Sequence, residues 1–488
     1  MRLSPDLVRS LPAVALHDHL DGGLRPATVL QLCAELGIAP PPIPPARDAE
    51  GGTDVPGGAE APTAQDIADW FHTAADSGSL PAYLSTFDRT VALMQTAPAL
   101  QRIAREFVED MVADGVVYAE TRWAPHQHTA GGLTLDAAVQ AVQDGLDEGV
   151  AATEAAGSTI VVGQLLCYLR HLDPSDDLVD LAIARRDTGV LGIDLAGPEA
   201  GFPASRFAAQ FSRAREAGIH VTIHAGEADG PASIADALDC GAERIGHGVR
   251  LVEDIDADPG ATSSADDMAG ETAGGTAGGA AGEIAGGATG DAADGAAGET
   301  AGGAAGETAG GPAGAPTSTQ GSASTPTARF GPVAARVHRE QICLEVCPSS
   351  NLQTGAAAEL SLHAVGPLHE LGFAVALSSD NRLMSRTSTS REMTLAVETF
   401  DWTLDDLEQV VLTGLDAGFA PAATRQTLRK DIVLPAFRAT REQSAREQSA
   451  RGQSAGEPDA REPGPRGHAA REPGAREPGA RGHAAHES

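Results

Sequence analysis

The chain has 488 residues, and its 68 Asp and Glu against 34 Lys and Arg give a formal charge of −34. So acidic a protein gains nothing from the counterion release that drives nucleic-acid binding and is repelled by anionic lipid, so neither a polynucleotide nor a membrane is an expected partner. A small neutral or cationic ligand fits the charge better. Five scattered cysteines (Cys33, Cys167, Cys240, Cys343 and Cys347) lie mostly in apolar runs and read as reduced thiols of a soluble, cytoplasmic protein. No basic-then-apolar leader opens the chain, and no apolar run reaches about 18 residues.

The first expected strand is "VALHDH", which runs into "LDGGLRP" and carries His17 and His19 two positions apart, with Asp18 between them and Asp21 just beyond. A Pro/Gly-rich loop follows at 39–63. Further strand-like stretches are "VVYAETR", "TIVVGQLLCY", "LGIDLAG", "HVTIHAG" and "RIGHG", separated by segments with apolar residues at three- and four-residue spacing. An acidic low-complexity segment at 254–328, built from units such as "AGGAAGETAGG", precedes the last two strands, "ICLEVCP" and "FAVALSSD". From 440 to 488 the chain repeats five-residue units, "REQSA" and then "REPGA". These three segments lack the apolar content to offset the entropy of ordering, and are expected to be disordered.

Eight strands alternating with helices imply parallel sheet, and a closed (β/α)8 TIM barrel is the expected architecture for residues 1–439, interrupted by the two inserts. A doubly wound open sheet would more often show a GxGxxG opening, which is absent here. In a barrel the C-terminal strand ends converge on one face, where this chain places His17, His19, Glu120, Arg122, Gly197, Glu199, His224, Glu227, His247, Ser349, Ser350, Asn351, Asp380 and Asn381.

On a strand, His17 and His19 point to the same side and Asp18 to the other. Two adjacent inward imidazoles are hard to satisfy with backbone carbonyls, so metal ligation is the better reading. His224 ends the fifth strand and Asp380 the eighth, which completes a three-imidazole, one-carboxylate donor set suited to zinc, although other first-row metals would also bind it. Such a metal lowers the pKa of bound water toward about 7. Glu227, three residues past His224, is placed to move protons beside it.

The motifs "HDHLDGGLRP", "GIDLAGPE", "HAGE", "RIGHGVRL", "LEVCPSSNLQTG" and "SSDNRLMS" occur in the order found in adenosine deaminases, whose actinobacterial members this chain resembles. The resemblance implies one Zn2+ per chain, held by His17, His19, His224 and Asp380. It implies that Glu227 protonates purine N1, that His247 orients and stabilises the attacking hydroxide, and that Asp380 helps to activate the water. The substrate would be contacted by His19, by Asp21 at the ribose 5′-hydroxyl, by the Gly197 amide at purine N3 and by Asn381 at N7. Many family members carry a second aspartate where this chain has Asn381. Residues 70–91 resemble the helical cover of the nucleoside site, with Leu84 and Phe87 as its apolar face. The implied reaction is hydrolytic deamination of adenosine, with 2′-deoxyadenosine as a further substrate, in purine salvage. The alternatives are deamination of adenine or another 6-amino purine nucleoside and, more remotely, an inactive barrel serving as a binding protein.

Overall fold

The computed structural model describes residues 3–43, 61–256 and 328–454. Strand β1 (Ala13–His19) is buried at every position, as expected of a strand covered on both faces. It is followed by β2 (Val116–Trp123), β3 (Val161–Leu169), β4 (Val190–Ala196), β5 (His220–Ala225), β6 (Arg244–His247), β7 (Cys343–Val346) and β8 (Val375–Leu377). These eight strands form one sheet in chain order, and every neighbouring pair is parallel.

The ends of the sheet meet beyond β8. The His19 amide donates to the Asp380 carbonyl at 2.8 Å, and the Asp380 amide donates to the His17 carbonyl at 2.9 Å. This closure makes the chain the (β/α)8 barrel expected from its sequence, and it is built from three of the residues proposed as metal ligands. Each strand begins within two residues of its expected start, and the eighth ends at Leu377, three residues before the expected Asp380.

The barrel interior is not purely apolar. Glu345 accepts hydrogen bonds from Arg122 at 2.6 Å, Arg244 at 2.6 Å and Thr222 at 3.0 Å. Arg244 continues to Glu120, and its guanidinium lies 3.5 Å from the centre of the Phe419 ring. Asp18 faces outward, accepting from Ser379 and Arg382, as its alternate position on β1 requires. Cys343 and Cys347 are both buried and unpaired, consistent with the reading of reduced thiols; Cys343 begins β7 and Cys347 follows its end.

Two expected boundaries shift. The low-complexity insert was expected to begin at 254, yet Asp254 caps the helix Pro332–Glu340 by accepting from the Val333 and Ala334 amides, each at 2.8 Å. Ile255–Asp256 then pairs antiparallel with Arg329–Phe330. Residues 257–327 of the insert, 44–60 of the Pro/Gly loop and 455–488 of the tail lie outside the described residues. The start of the tail is corrected: 440–454 continues the helix Leu434–Ser454, and Arg441 pairs with Asp405 and Glu408. The "REQSA" unit has a good helix former at nearly every position, and a helix already nucleated on the barrel extends into it.

Candidate active site

His17 and His19 project inward from β1, and His224 from the end of β5. The ring of His17 lies 5.3 Å from that of His19 and 4.5 Å from that of His224. Asp380 Oδ1 is 3.4 Å from Nε2 of both His17 and His19. Gly246 of β6 makes room for this cluster: a Cβ there would stand 3.1 Å from both His17 Cε1 and His224 Cα. Asp380 and His247 have φ values of 57° and 64°, left-handed conformations that non-glycine residues seldom adopt and that concentrate at functional sites.

Each of two imidazoles is held from behind by a buried carboxylate. His17 Nδ1 lies 3.0 Å from Glu345 Oε2, and His224 Nδ1 lies 3.1 Å from Asp194 Oδ1. Burial, then the nearby Arg122 guanidinium, lowers the His17 pKa to about 4, so the ring is neutral. Burial opposes a proton on His224, but Asp194 outweighs it and raises the basicity of the ring. Burial also works to raise Glu345, yet Arg122 and Arg244 hold it well below the usual carboxylate range.

This set fits a metal ion. A neutral His17 that donates Nδ1–H to Glu345 leaves a bare Nε2, and that buried atom has no hydrogen-bond partner. The Nε2 atoms of His19 and His224 face each other at 3.2 Å. The donor atoms of His17, His19 and His224 all lie within 4.8 Å of one another, as do those of His17, His247 and Asp380. Converging nitrogen lone pairs backed by carboxylates are the arrangement that zinc sites use.

Glu227 lies beside the cluster, in the loop after β5. Its Oε1 accepts from Thr354 Oγ1 at 2.9 Å and Asn351 Nδ2 at 3.4 Å, and its Oε2 is 3.6 Å from His247 Nε2. Burial pushes the Glu227 carboxyl above the usual carboxylate range, which favours its protonated, donating form. The loop is itself tied down by Glu199, whose carboxylate accepts from the backbone amides of Gly226, Glu227, Ala228 and Asp229 and from Ser233 Oγ, at 2.6–3.0 Å.

A cavity of about 370 Å³ opens from His19 toward solvent. Asp21, Gly197 and Cys167 line it, and Leu84 and Phe87 cover it from two short helices, Leu80–Leu84 and Phe87–Leu93. Asp21 Oδ1 is a buried acceptor without a partner. Gly197 has φ 95°, which suits its lack of a side chain at the cavity wall. Among the described residues that line it there is no Lys or Arg. Asn381 stands apart: it is not a lining residue, and its Nδ2 donates to Tyr83 OH at 2.8 Å while Oδ1 is left unpaired.

The structure thus brings together His17, His19, His224, Asp380, Glu227 and His247, and places His19, Asp21 and Gly197 on the adjoining cavity. Sequence reasoning assigned no role to Glu345, Asp194, Arg122, Glu199, Asn351 or Thr354. A signal existed for two of them, since Asp194 in "GIDLAG" and Glu345 in "CLEV" are single acids inside apolar strands, and a buried charge must be paired.

The family model described as adenosine deaminase matches residues 12–434. The chain belongs to the adenosine deaminase family. It is 38% identical over 441 residues to adenosine deaminase 1 of Streptomyces coelicolor, covering 90% of each chain. It is also 38% identical to the adenosine deaminase of Mycobacteroides abscessus, over 88% of this chain and 96% of that one. Its fold is shared with the Arabidopsis N6-mAMP deaminase, with a TM-score of 0.60 at 23% identity over 87% of this chain and 98% of that one. The chain is accordingly a hydrolase of the deaminase type. Among the described residues, no helix of this family member is long and apolar enough to cross a membrane.

Proposed function

We propose that the protein hydrolyses the 6-amino group of adenosine and 2′-deoxyadenosine, giving the inosine product and ammonia, and that it serves purine salvage in the cytoplasm. The observation that carries this reading is the placement of Glu227 and His247, 3.6 Å apart, beside the His17–His19–His224–Asp380 cluster, whose His19 lines the cavity.

His17, His19, His224 and Asp380 would hold one zinc ion. When bound, the metal supplies Lewis-acid activation of the attacking water. Glu227 donates its proton to purine N1 and so makes C6 more electrophilic, with Thr354 and Asn351 orienting its carboxyl. As the water oxygen bonds to C6, Asp380 accepts its proton and returns it to the amino nitrogen when the C6–N bond breaks and ammonia leaves, the C6 hydroxyl proton restoring the Glu227 acid. Ser350 Oγ, hydrogen-bonded to Asp380 Oδ2, keeps the other oxygen aimed at the cluster. His247 directs Nε2 at the reacting centre.

Asp21 accepts from the ribose 5′-hydroxyl through its unpaired Oδ1, which supports a nucleoside over a free base. The Gly197 amide serves N3. For Asn381 to serve N7 its amide turns over, so that Tyr83 OH donates to Oδ1 and Nδ2 becomes the free donor; this also satisfies the unpaired Oδ1. Leu84 and Phe87 exclude water above the base. The absence of Lys and Arg among the described residues of the cavity lining disfavours a 5′-phosphate.

Purified protein offered adenosine, 2′-deoxyadenosine, adenine and AMP, with ammonia release and metal content measured together, tests the reading. Turnover of the two nucleosides is expected. Turnover confined to adenine or AMP, or none in metal-loaded protein, overturns it.

A further inference from the structure

A hydrogen-bond chain runs from the backbone to His247, and its direction is determined at its origin. The Val365 amide can only donate, and it points at His363 Nδ1 at 3.1 Å. His363 is buried, and burial lowers its pKa to about 4, so the ring is neutral. With Nδ1 accepting, its one hydrogen is on Nε2, which lies 3.3 Å from Asn351 Oδ1. That contact fixes the orientation of the Asn351 amide, whose two N–H groups then point at Glu227 Oε1 at 3.4 Å and His247 Nδ1 at 3.1 Å. His247 Nδ1 accepts, which leaves the hydrogen of a neutral ring on Nε2.

We propose that Asn351 and His363 are positioning residues that hold His247 as its Nε2–H tautomer, so that it meets the reacting centre as a hydrogen-bond donor and is closed to metal. The proposal rests on the reading of His247 as a group facing substrate. It also decides between the two overlapping donor groups: a ring whose Nδ1 is occupied by Asn351 and whose Nε2 carries hydrogen has no lone pair for an ion. The ligands are then His17, His19, His224 and Asp380, and His247 stands beside them as a donor to developing negative charge. One amide thereby serves both partners of the reaction, since the same Asn351 nitrogen that sets the His247 tautomer also orients the Glu227 carboxyl.

The test is nitrogen-15 NMR of imidazole-labelled, zinc-loaded protein, with the His247 signals assigned by their loss in His247→Asn. The two ring nitrogens of a neutral imidazole have well-separated shifts, so the tautomer is read directly. In the wild type, His247 is expected as Nε2–H; finding Nδ1–H overturns the proposal without any variant. Asn351→Asp replaces the donor with an acceptor of the same shape, and His247 is expected to move to Nδ1–H, with kcat reduced by about 10²-fold or more, the scale of losing one preorganised donor, and KM little changed. His363→Leu is expected to let the Asn351 amide turn and to give mixed tautomers, whereas His363→Gln, whose amide can donate in place of Nε2–H, is expected to restore the wild-type signal. An unchanged tautomer in both Asn351→Asp and His363→Leu overturns the proposal, and either variant alone decides if the other fails to fold. The spectra need no substrate: wild-type protein that shows the Nε2–H tautomer but leaves adenosine untouched would overturn the deaminase reading and not this one.

Discussion

Arg122 Nη2 lies 2.6 Å from Glu345 Oε2, with both side chains fully buried. Nη1 of the same guanidinium lies 3.3 Å from Asp194 Oδ2. One guanidinium therefore pairs with both carboxylates that hold His17 and His224, and ties β4 to β7 beneath the histidine cluster.

Replacing Arg122 with Met should leave buried Asp194 without its guanidinium partner and Glu345 with Arg244 alone. A loss of about 3–5 kcal/mol in urea unfolding is expected, the range for breaking a buried ion pair. A loss below about 1 kcal/mol would show that the network does not support the barrel.

Metal removal should be visible without any assay of turnover. An ion held at a free concentration 1,000 times its Kd stabilises the folded state by about 4 kcal/mol. Prolonged chelation is expected to lower Tm and abolish ammonia release, and zinc to restore both. A chelated, metal-free protein with unaltered Tm and activity would exclude the proposed ligand set.

Glu227→Gln keeps the shape and the hydrogen bond from Thr354 but removes the acidic proton. A fall in kcat of about 10²–10⁴-fold is expected, with metal content unchanged. Near-normal turnover in the variant would remove Glu227 from the proton-transfer step.

Glu199→Gln should act on the same residue from a distance. Its carboxylate accepts four backbone amides of the 226–229 loop, and a Gln side chain would turn an NH2 group toward some of them. Misplacement of a catalytic group by about 1 Å costs about 10²-fold in rate. Faster hydrogen exchange at 226–229 should accompany the loss, and unchanged exchange and rate would show the loop to be self-supporting.

His363 gives the stability a defined pH dependence. Its folded pKa, lowered to about 4 chiefly by burial, lies below the 6.5 of an exposed histidine. Between those values the unfolded chain binds the extra proton, so stability rises with pH, is fully present above 6.5 and is lost as pH falls toward 4. His363→Gln should show a shallower rise of Tm across pH 4–6.5 than the wild type. Parallel Tm curves would place the effect on other groups.

The barrel was legible because eight short apolar runs alternate with helical spacing, a pattern that physics permits in few architectures. The cluster was legible because His17 and His19 share a strand face, so two neighbouring letters already state a geometry. Glu345 alone stands out as an acid in an apolar strand, but its pairing with Arg122, 223 residues away along the chain, carries no such signal, since it exists only once the barrel closes. Asn351 was visible as a polar strand-end residue, but its part in orienting His247 depends on His363, on a different turn of chain. The helical start of the repeat tail was missed because composition alone does not record that a preceding helix is already anchored to the barrel.

The ribbon between Ile255–Asp256 and Arg329–Phe330, fastened by the Asp254 cap, brings the exit and re-entry points of the insert side by side. Exchanging 257–327 for a folded reporter with adjoining termini should leave the barrel with the same two stubs to close, and lengthening such a splice costs only about 0.6 kcal/mol per doubling. The enzyme thus offers protein engineers an insertion point within its own backbone, between Asp256 and Arg329.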